Sequence, residues 1–501
     1  MSIHLTGGIE ALLASFAIAF ALKSYFSRQK LPHGVQFPLG PPLLPILGSA
    51  LAVDVTAPWL TYKAWGDVVY TRLFGQDNII INSEQIARDL LEHRSNNYSD
   101  RPDIATNELF GIDYTTAFMH YGTRWRLHRK ILHQSFRQDV VPKFRPMQVT
   151  KTHDLLLNIL EDPLDYTKHF EVHSGSVIMS AVYSYDAARH NDHMIERATM
   201  GLDIILKEMR PEVAAIFSAF PSLLRLPSWL PGMRLKRVSP LAKELSLENL
   251  ENPFAHTESG LATGSISPCM VADHLLDLDD SDGDSAWKKK AIKESAATAF
   301  GAGTETTAAV LMNFILVMIL HPDIQQKAHE LVDSVVGAKR LPTFQDRPSL
   351  PYIDAILREC LRWRPVFPLA IMHAAVESDV YKGYYIPKGA TITPNVWAMC
   401  HNEDKYANAS EFNPERFLNQ DGTLTDDTVS FVWGFGRRIC PGRHLAEASI
   451  WAKDESGKEI EIKPQWHGGI TVRPKEFPCS ITPRNADMDI TALRHLIRVS
   501  V

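Results

Sequence analysis

The stretch WGFGRRICPG, residues 433–442, sets a cysteine between two arginines and a proline, behind two glycines. A thiolate binds metal and a thiol does so poorly, so the environment must hold this sulfur ionised. Arg437 and Arg438 supply positive charge, while Gly434 and Gly436 permit tight turns and close backbone approach. Pro441 suits the first position of a helix. HLAEASIW (444–451) continues as helix, which puts Cys440 at the positive end of a helix dipole. A lone cysteine so placed is either a nucleophile in need of a base or a single axial metal ligand.

Outward from that loop, the 501-residue chain is 45% hydrophobic and 22% charged, a globular composition, with a formal net charge of −6. No basic excess points to nucleic acid, so no nucleic-acid partner is expected. Lys288, Lys289 and Lys290 read as a solvated helix start. The five cysteines contain no CxxC pair, which argues against a disulfide framework or a structural zinc site.

The N-terminus carries a charge-free run, ALLASFAIAFAL (11–22), followed by Lys23, Arg28 and Lys30. The run is shorter than the ~20 residues of a bilayer span, a length reached only by counting from residue 3 or 5 to Tyr25, with Glu10 included. Residues 1–30 therefore read as a membrane anchor, or failing that a peripheral or buried helix, and the basic flank favours a cytosolic body. Residues 31–50 hold five prolines and three glycines and read as a stiff hinge. VVYTRLF and NIII flank Gly75-Gln76-Asp77, the pattern of a β-hairpin with a three-residue loop, and Ser83 offers an N-cap for a helix through His93. Helical spacing then dominates to about residue 340, and a second strand-rich patch starts near Val380. The expected architecture is mainly α with a small β portion.

One helix is predicted from about Trp287 to Leu320, stopped by His321-Pro322 and about 50 Å long. Its apolar flanks bury it, yet its centre is FGAGTETT (300–307), where each glycine costs about 1 kcal/mol against alanine. Two readings stand: a packing notch for a crossing element, or a gap for a ligand faced by the acid–hydroxyl pair Glu305 and Thr306.

Taken whole, WGFGRRICPG resembles the cysteine-ligand loop of the cytochrome P-450 haem-thiolate family, with Trp433 where phenylalanine is commoner. FGAGTETT resembles that family's oxygen-activation helix, and LRECLR (357–362) carries its Glu-x-x-Arg as Glu359 and Arg362. NPERF (413–417) supplies the third member, Arg416. WRLHR (125–129) resembles its Trp-x-x-x-Arg helix, and PLAIMHAA (368–375) sets His373 where the family has a His or Arg. The likeness covers roughly residues 35–485, closest in wording to fungal microsomal members, including those of secondary metabolism.

The resemblance implies a cytochrome P-450 fold in a catalytic domain at 51–485, with 486–501 unassigned. Cys440 would be the axial ligand of haem b iron, with Trp125, Arg129, His373 and Arg438 at the propionates. Gly434 and Gly436 would free backbone N–H groups for the sulfur. Thr306 would hydrogen-bond the oxygen being activated, Glu305 would feed protons, and Ala302 and Gly303 would leave room for dioxygen. Glu359, Arg362 and Arg416 would be structural, and His120, His128 and His133 receive no role. The implied activity is a monooxygenase of the EC 1.14 type, acting on an apolar small molecule at the endoplasmic reticulum membrane. NADPH electrons would come through NADPH-cytochrome P-450 reductase, with cytochrome b5 a further partner. The segments around 110–119, 200–230 and after Arg364 would set specificity. The alternatives are oxygen-independent rearrangement or dehydration, and an inactive haem binder.

The last of these has a specific source. The family continues its cysteine loop into a long helix, whereas here HLAEASIW runs straight into the polar AKDESGKEIEIK (452–463). A block of apolar residues is missing at that junction.

Overall fold

The structure is a computed structural model that describes residues 31–45, 47–279, 281, 283–337, 339–451, 465–467, 469–479, 481–483 and 488–500. The anchor expected at 1–30 lies outside them. The principal helices are α1 (Thr123–Phe136), α2 (Arg145–Glu161), α3 (Tyr166–Tyr183), α4 (His193–Glu208), α5 (Arg234–Thr263), α6 (Ser285–Leu320), α7 (Pro351–Trp363), α8 (Arg443–Trp451) and α9 (Ile490–Ser500). Strands are few: β1 (Val68–Leu73), β2 (Gln76–Ile81), β3 (His373–Ala374), β4 (Asp379–Tyr381), β5 (Tyr384–Ile386), β6 (Thr391–Pro394), β7 (Trp466–His467) and β8 (Arg473–Pro474).

α6 is the axis of the helical body. It spans 36 residues, begins two residues before the expected start, and touches α1, α3, α4, α5, α7 and α8. Its glycine-rich centre stays helical because burial on several sides outweighs the weak propensity. The closest approach is to α3: a Cβ on Gly303 would lie 2.9 Å from Ile178 Cγ1. Among the described residues, α6 alone is long and apolar enough to cross a membrane, yet 67% of its most apolar window is buried in the protein. Burial inside the body makes it a core helix.

The main sheet runs β1-β2-β6-β3, antiparallel except for the parallel β2–β6 pair. Ile79, Ile80 and Ile81 are buried on both faces, which is why NIII reads as a continuous apolar run. Leu73 pairs with Gln76, so the β1–β2 turn has two residues, Phe74 and Gly75, both at positive φ. That geometry replaces the three-residue loop expected from the glycine. Ser83 does cap, accepting from Ile86 N, though the helix it starts passes into a π-helical turn at Asp89–His93.

The proline-rich segment is not a free tether. Leu39 O accepts from Tyr70 N at 3.2 Å and Arg72 O from Ser49 N at 2.7 Å. A Cβ on Gly40 would meet Tyr70 O at 1.9 Å, and one on Gly48 would meet Arg72 O at 1.7 Å. These glycines let the segment lie against β1.

The unassigned tail forms α9. Asp489 Oδ1 caps it by accepting from Ala492 N at 2.7 Å, and the helix packs on α2, where α8 also packs. Ile490, Leu493, Leu496 and Ile497 share its inward side, with Leu493 buried. Deleting residues 488–501 is expected to lower stability by about 2 kcal/mol, from lost apolar burial, read as a drop in denaturation midpoint.

Candidate active site

Glycine geometry builds the cysteine loop. Gly434 sits at φ +87° and Gly436 at φ +53°, and a Cβ on Gly436 would lie 2.1 Å from the carbonyl oxygen of Leu91. The loop thus wedges against the Asp89–His93 turn, and Cys440 N donates to Trp433 O at 2.8 Å. Gly436→Ala is expected to cost at least about 2 kcal/mol, from left-handed strain plus displacement of that turn, measured as a fall in Tm.

Cys440 is half-buried. Burial raises its thiol pKa, opposed by hydrogen bonds from the backbone N–H groups of Gly442 and Arg443 and by the charges of Arg129 and Arg443. The positive surroundings come from these groups. Arg437, expected to contribute, instead donates to Tyr121 and Asn96. A bound metal ion would complete the ionisation, since a coordinating thiol loses its proton outright.

Beside the loop lies a cluster of basic side chains, three arginines and a neutral histidine. Arg129 Nη1 donates to Ile439 O at 2.5 Å, from the residue next to Cys440. Arg438 donates to Ser99 O, Met119 O and Thr116 O, and its guanidinium lies 4.3 Å from the Trp125 ring centroid. Arg101 donates to Ala117 O, Ile371 O and Met372 O. His373 Nδ1 donates to Tyr98 O at 2.7 Å. Burial pushes all four basic groups down: Arg438 to about 10, Arg129 below its usual value, and Arg101 and His373 well below theirs. The attractive charges on Arg438 and Arg101 come from Asp100, with Tyr121 a lesser contributor at Arg438, so cationic charge is gathered here in excess of its partners. Buried cations are stable only when paired. A ligand with two carboxylates beside a metal held by Cys440 would supply the missing charge, and the residues present fit a haem and its propionates.

At the centre of α6, Ala302 is exposed although Phe300 and Thr304 are buried, so open space reaches the helix there. Thr306 is one turn further on the same side, and its Oγ1 donates to Ala302 O at 2.8 Å. Gly303 faces elsewhere: its space is closed by Ile178, so the packing reading accounts for this glycine and the room expected of it is absent.

Glu305 does not pair with Thr306. It is buried and meets Arg473 of β8, whose Nη1 donates to it at 3.3 Å. Burial pushes the Glu305 carboxyl up to about 7, with Arg473 opposing and Glu171 and Asp203 adding to the rise. The folded chain thus holds this proton between about 4.5 and about 7, where the unfolded chain has lost it. Glu305 is expected to contribute stability at low pH that is lost as pH rises through that window. Denaturation of wild type and Glu305→Gln at a series of pH values checks this, because the variant lacks the loss.

Glu359 and Arg362 are fully buried. Arg362 grips Glu359 with Nε at 2.6 Å and Nη2 at 2.7 Å, and Arg416 Nε joins at 3.1 Å. Arg362 also donates to Cys400 O, Ala409 O and Glu411 O, tying α7 to the loop that leads to the cysteine.

Three features escaped the sequence reading: Arg101, Arg473, and a buried link in which His128 lies 2.9 Å from Thr116 Oγ1 and 3.2 Å from Glu294. Arg124 closes that link on Glu294 at 2.7 Å. Apolar spacing gave no sign of any of them. Pro102 beside Arg101 and Pro474 beside Arg473 mark turns or strand edges and give no hint of burial.

The cytochrome P450 family profile matches residues 38–451 and stops at the end of α8. The chain is 34% identical to cytochrome P450 monooxygenase COX1 of Coprinopsis cinerea over 94% of its length and 96% of that protein. It is 35% identical to cytochrome P450 monooxygenase ppsD of Aspergillus oryzae over 90% of this chain and 89% of the relative. With cytochrome P450 monooxygenase 98 of Postia placenta it is 33% identical over 98% of this chain and 99% of that one. That alignment runs to 522 positions, more than the 501 residues here, so the relative carries segments this chain lacks. A cysteine just ahead of α8, beside arginines that outnumber their anionic partners and under a core helix opened at Ala302, now has its context: the chain belongs to the cytochrome P450 family and is an oxidoreductase of the monooxygenase class.

Proposed function

We propose that this protein inserts one atom of dioxygen into an apolar organic substrate, in fungal secondary metabolism or xenobiotic oxidation. The other atom leaves as water, with two electrons from NADPH delivered by a flavoprotein reductase. The observation that carries the reading is the buried cation cluster adjoining Cys440, because charge of that sign at that depth calls for a dianionic ligand.

In this reading Cys440 ligates haem b iron, supported by N–H groups of Gly442 and Arg443. Arg101, Arg129, Arg438 and His373 hold the propionates, with Trp125 packed beneath Arg438. Thiolate-ligated haem supplies the redox chemistry and favours O–O cleavage. Thr306 presents its hydroxyl to the open side of α6, and Glu305 is the proton source behind it. Two of the three segments expected to set specificity, around 110–119 and 200–230, share one apolar cluster, with Phe110 and Ile112 beside Met209 and Phe217. Such a wall excludes water and suits an apolar substrate. An N-terminal anchor in the endoplasmic reticulum membrane, with a cytosolic body able to meet the reductase and cytochrome b5, completes the proposal.

Reconstitution with haem, NADPH and P-450 reductase tests it, with substrate libraries read for oxygenated product. Product that requires dioxygen and NADPH supports the reading; turnover without dioxygen would favour rearrangement or dehydration. The shortened segment after Trp451 favours a second reading, an inactive haem binder, which predicts bound haem and no product.

A further inference from the structure

Trp433 and Cys440 close the neck of the cysteine loop. Cys440 N donates to Trp433 O at 2.8 Å, and Gly434 turns the chain between them at φ +87°. The Trp433 ring is held from outside the loop, packed on the apolar cluster that contains Leu311 of α6 and Leu357 and Leu361 of α7. Its Nε1 is buried, and no oxygen, nitrogen or sulfur of the described residues accepts from it. Trp363 shows the ordinary outcome for such a group: its Nε1 donates to Ser410 O at 2.9 Å. A buried indole N–H usually finds an acceptor, and one that lacks it calls for a reason.

We propose that Trp433 is a positioning residue whose indole N–H donates to the Cys440 sulfur once that sulfur ligates iron, and that it thereby raises the iron's reduction potential. The proposal rests on the reading that Cys440 holds a haem. It gives a task to the one place where the loop departs from the family pattern. Phenylalanine, commoner there, offers a similar apolar ring and no donor.

The chemistry of the sulfur explains why the N–H finds no acceptor among the protein's own groups. A thiol sulfur accepts weakly, whereas hydrogen bonds to an anionic acceptor are roughly twice as strong as neutral ones. Gly442 and Arg443 already donate backbone N–H groups to the sulfur from the α8 side. Those two donors belong to the backbone. Trp433 stands at the other end of the loop and adds a third, supplied by the choice of side chain. Hydrogen bonds to a ligating sulfur tune the potential of the metal. The couple concerned is the one-electron reduction of ferric to ferrous iron, and the added electron makes the sulfur a stronger acceptor. The N–H therefore favours the reduced state. It also draws electron density from the iron–sulfur bond and weakens that bond.

The test is a redox titration of the haem-loaded full chain, with the iron–sulfur stretching band read by resonance Raman spectroscopy. Trp433→Phe is expected to lower the equilibrium constant for reduction about tenfold, a midpoint about 59 mV more negative, and to move the band to higher frequency. Trp433→His keeps a ring N–H and is expected to recover part of both shifts. Haem-free Trp433→Phe is expected to keep its denaturant midpoint, because an apolar ring stays in place and the N–H has no bond to lose. A haem-free midpoint that falls while potential and band stay at their wild-type values would overturn the proposal and leave Trp433 a packing residue. Equal potentials in wild type and Trp433→Phe, with the thiolate spectrum intact in both, would overturn it and leave the ligation standing. A wild type that lacks the thiolate spectrum would overturn the ligation itself, and this proposal with it.

Discussion

Arg362→Leu is expected to destabilise the chain by about 3–5 kcal/mol, enough to leave little folded protein. Arg362 is fully buried and grips both oxygens of a fully buried Glu359. Its loss leaves that carboxylate with Arg416 Nε alone among its guanidinium partners, and removing one member of a buried ion pair costs that much. Three carbonyls, Cys400 O, Ala409 O and Glu411 O, lose their donor in the same step. Whole domains are stable by only about 5–15 kcal/mol. Arg362→Lys keeps the charge but not the planar fork and is expected to recover only part. Denaturant midpoints of the two variants measure the difference. An Arg362→Leu chain as stable as wild type would remove the structural role assigned to this triad.

Cys440→Ser is expected to have the opposite profile, with stability of the haem-free chain nearly unchanged and thiolate ligation lost. The substitution is close in size, and the Cys440 N to Trp433 O bond does not involve the side chain. A serine hydroxyl at 440 can accept from the same Gly442 and Arg443 N–H groups that bond the sulfur. What disappears is the sulfur that the Gly442 and Arg443 N–H groups support. The haem-free Tm and the optical spectrum after haem loading separate the two effects. A variant that retained the thiolate spectrum would show that another group binds the iron.

Much of the fold was legible because its signals are local. α6 announced itself by apolar spacing and by His321-Pro322, and the cysteine loop by glycines and a proline whose backbone demands are fixed. Glu359 and Arg362 share a helix face by spacing, and Arg416 followed from the family pattern. The misses are contacts between residues far apart in the chain. Arg473 and Glu305 are separated by 168 positions, and no periodicity relates them. Arg101 carries no local signal of burial, because it is the loops carrying Ala117, Ile371 and Met372 that close around it. The centre of α6 left two readings open, and the structure divides them by residue: Gly303 serves packing while Ala302 faces open space. The hairpin was misjudged by one residue because Phe74 adopts a positive φ that a bulky side chain rarely does.

The polar stretch that follows Trp451 in the sequence gives the account its sharpest exposure to failure. α8 still packs on α2, α6 and α7, and α9 covers a further part of α2. The cysteine loop and the cation cluster therefore keep their supports, and haem should bind. The deciding measurement is the optical spectrum of purified, haem-loaded protein, reduced and exposed to carbon monoxide. The account predicts the strongly red-shifted Soret band of a thiolate-ligated haem; protein that took up no haem, or showed the band of a nitrogen-ligated one, would contradict it.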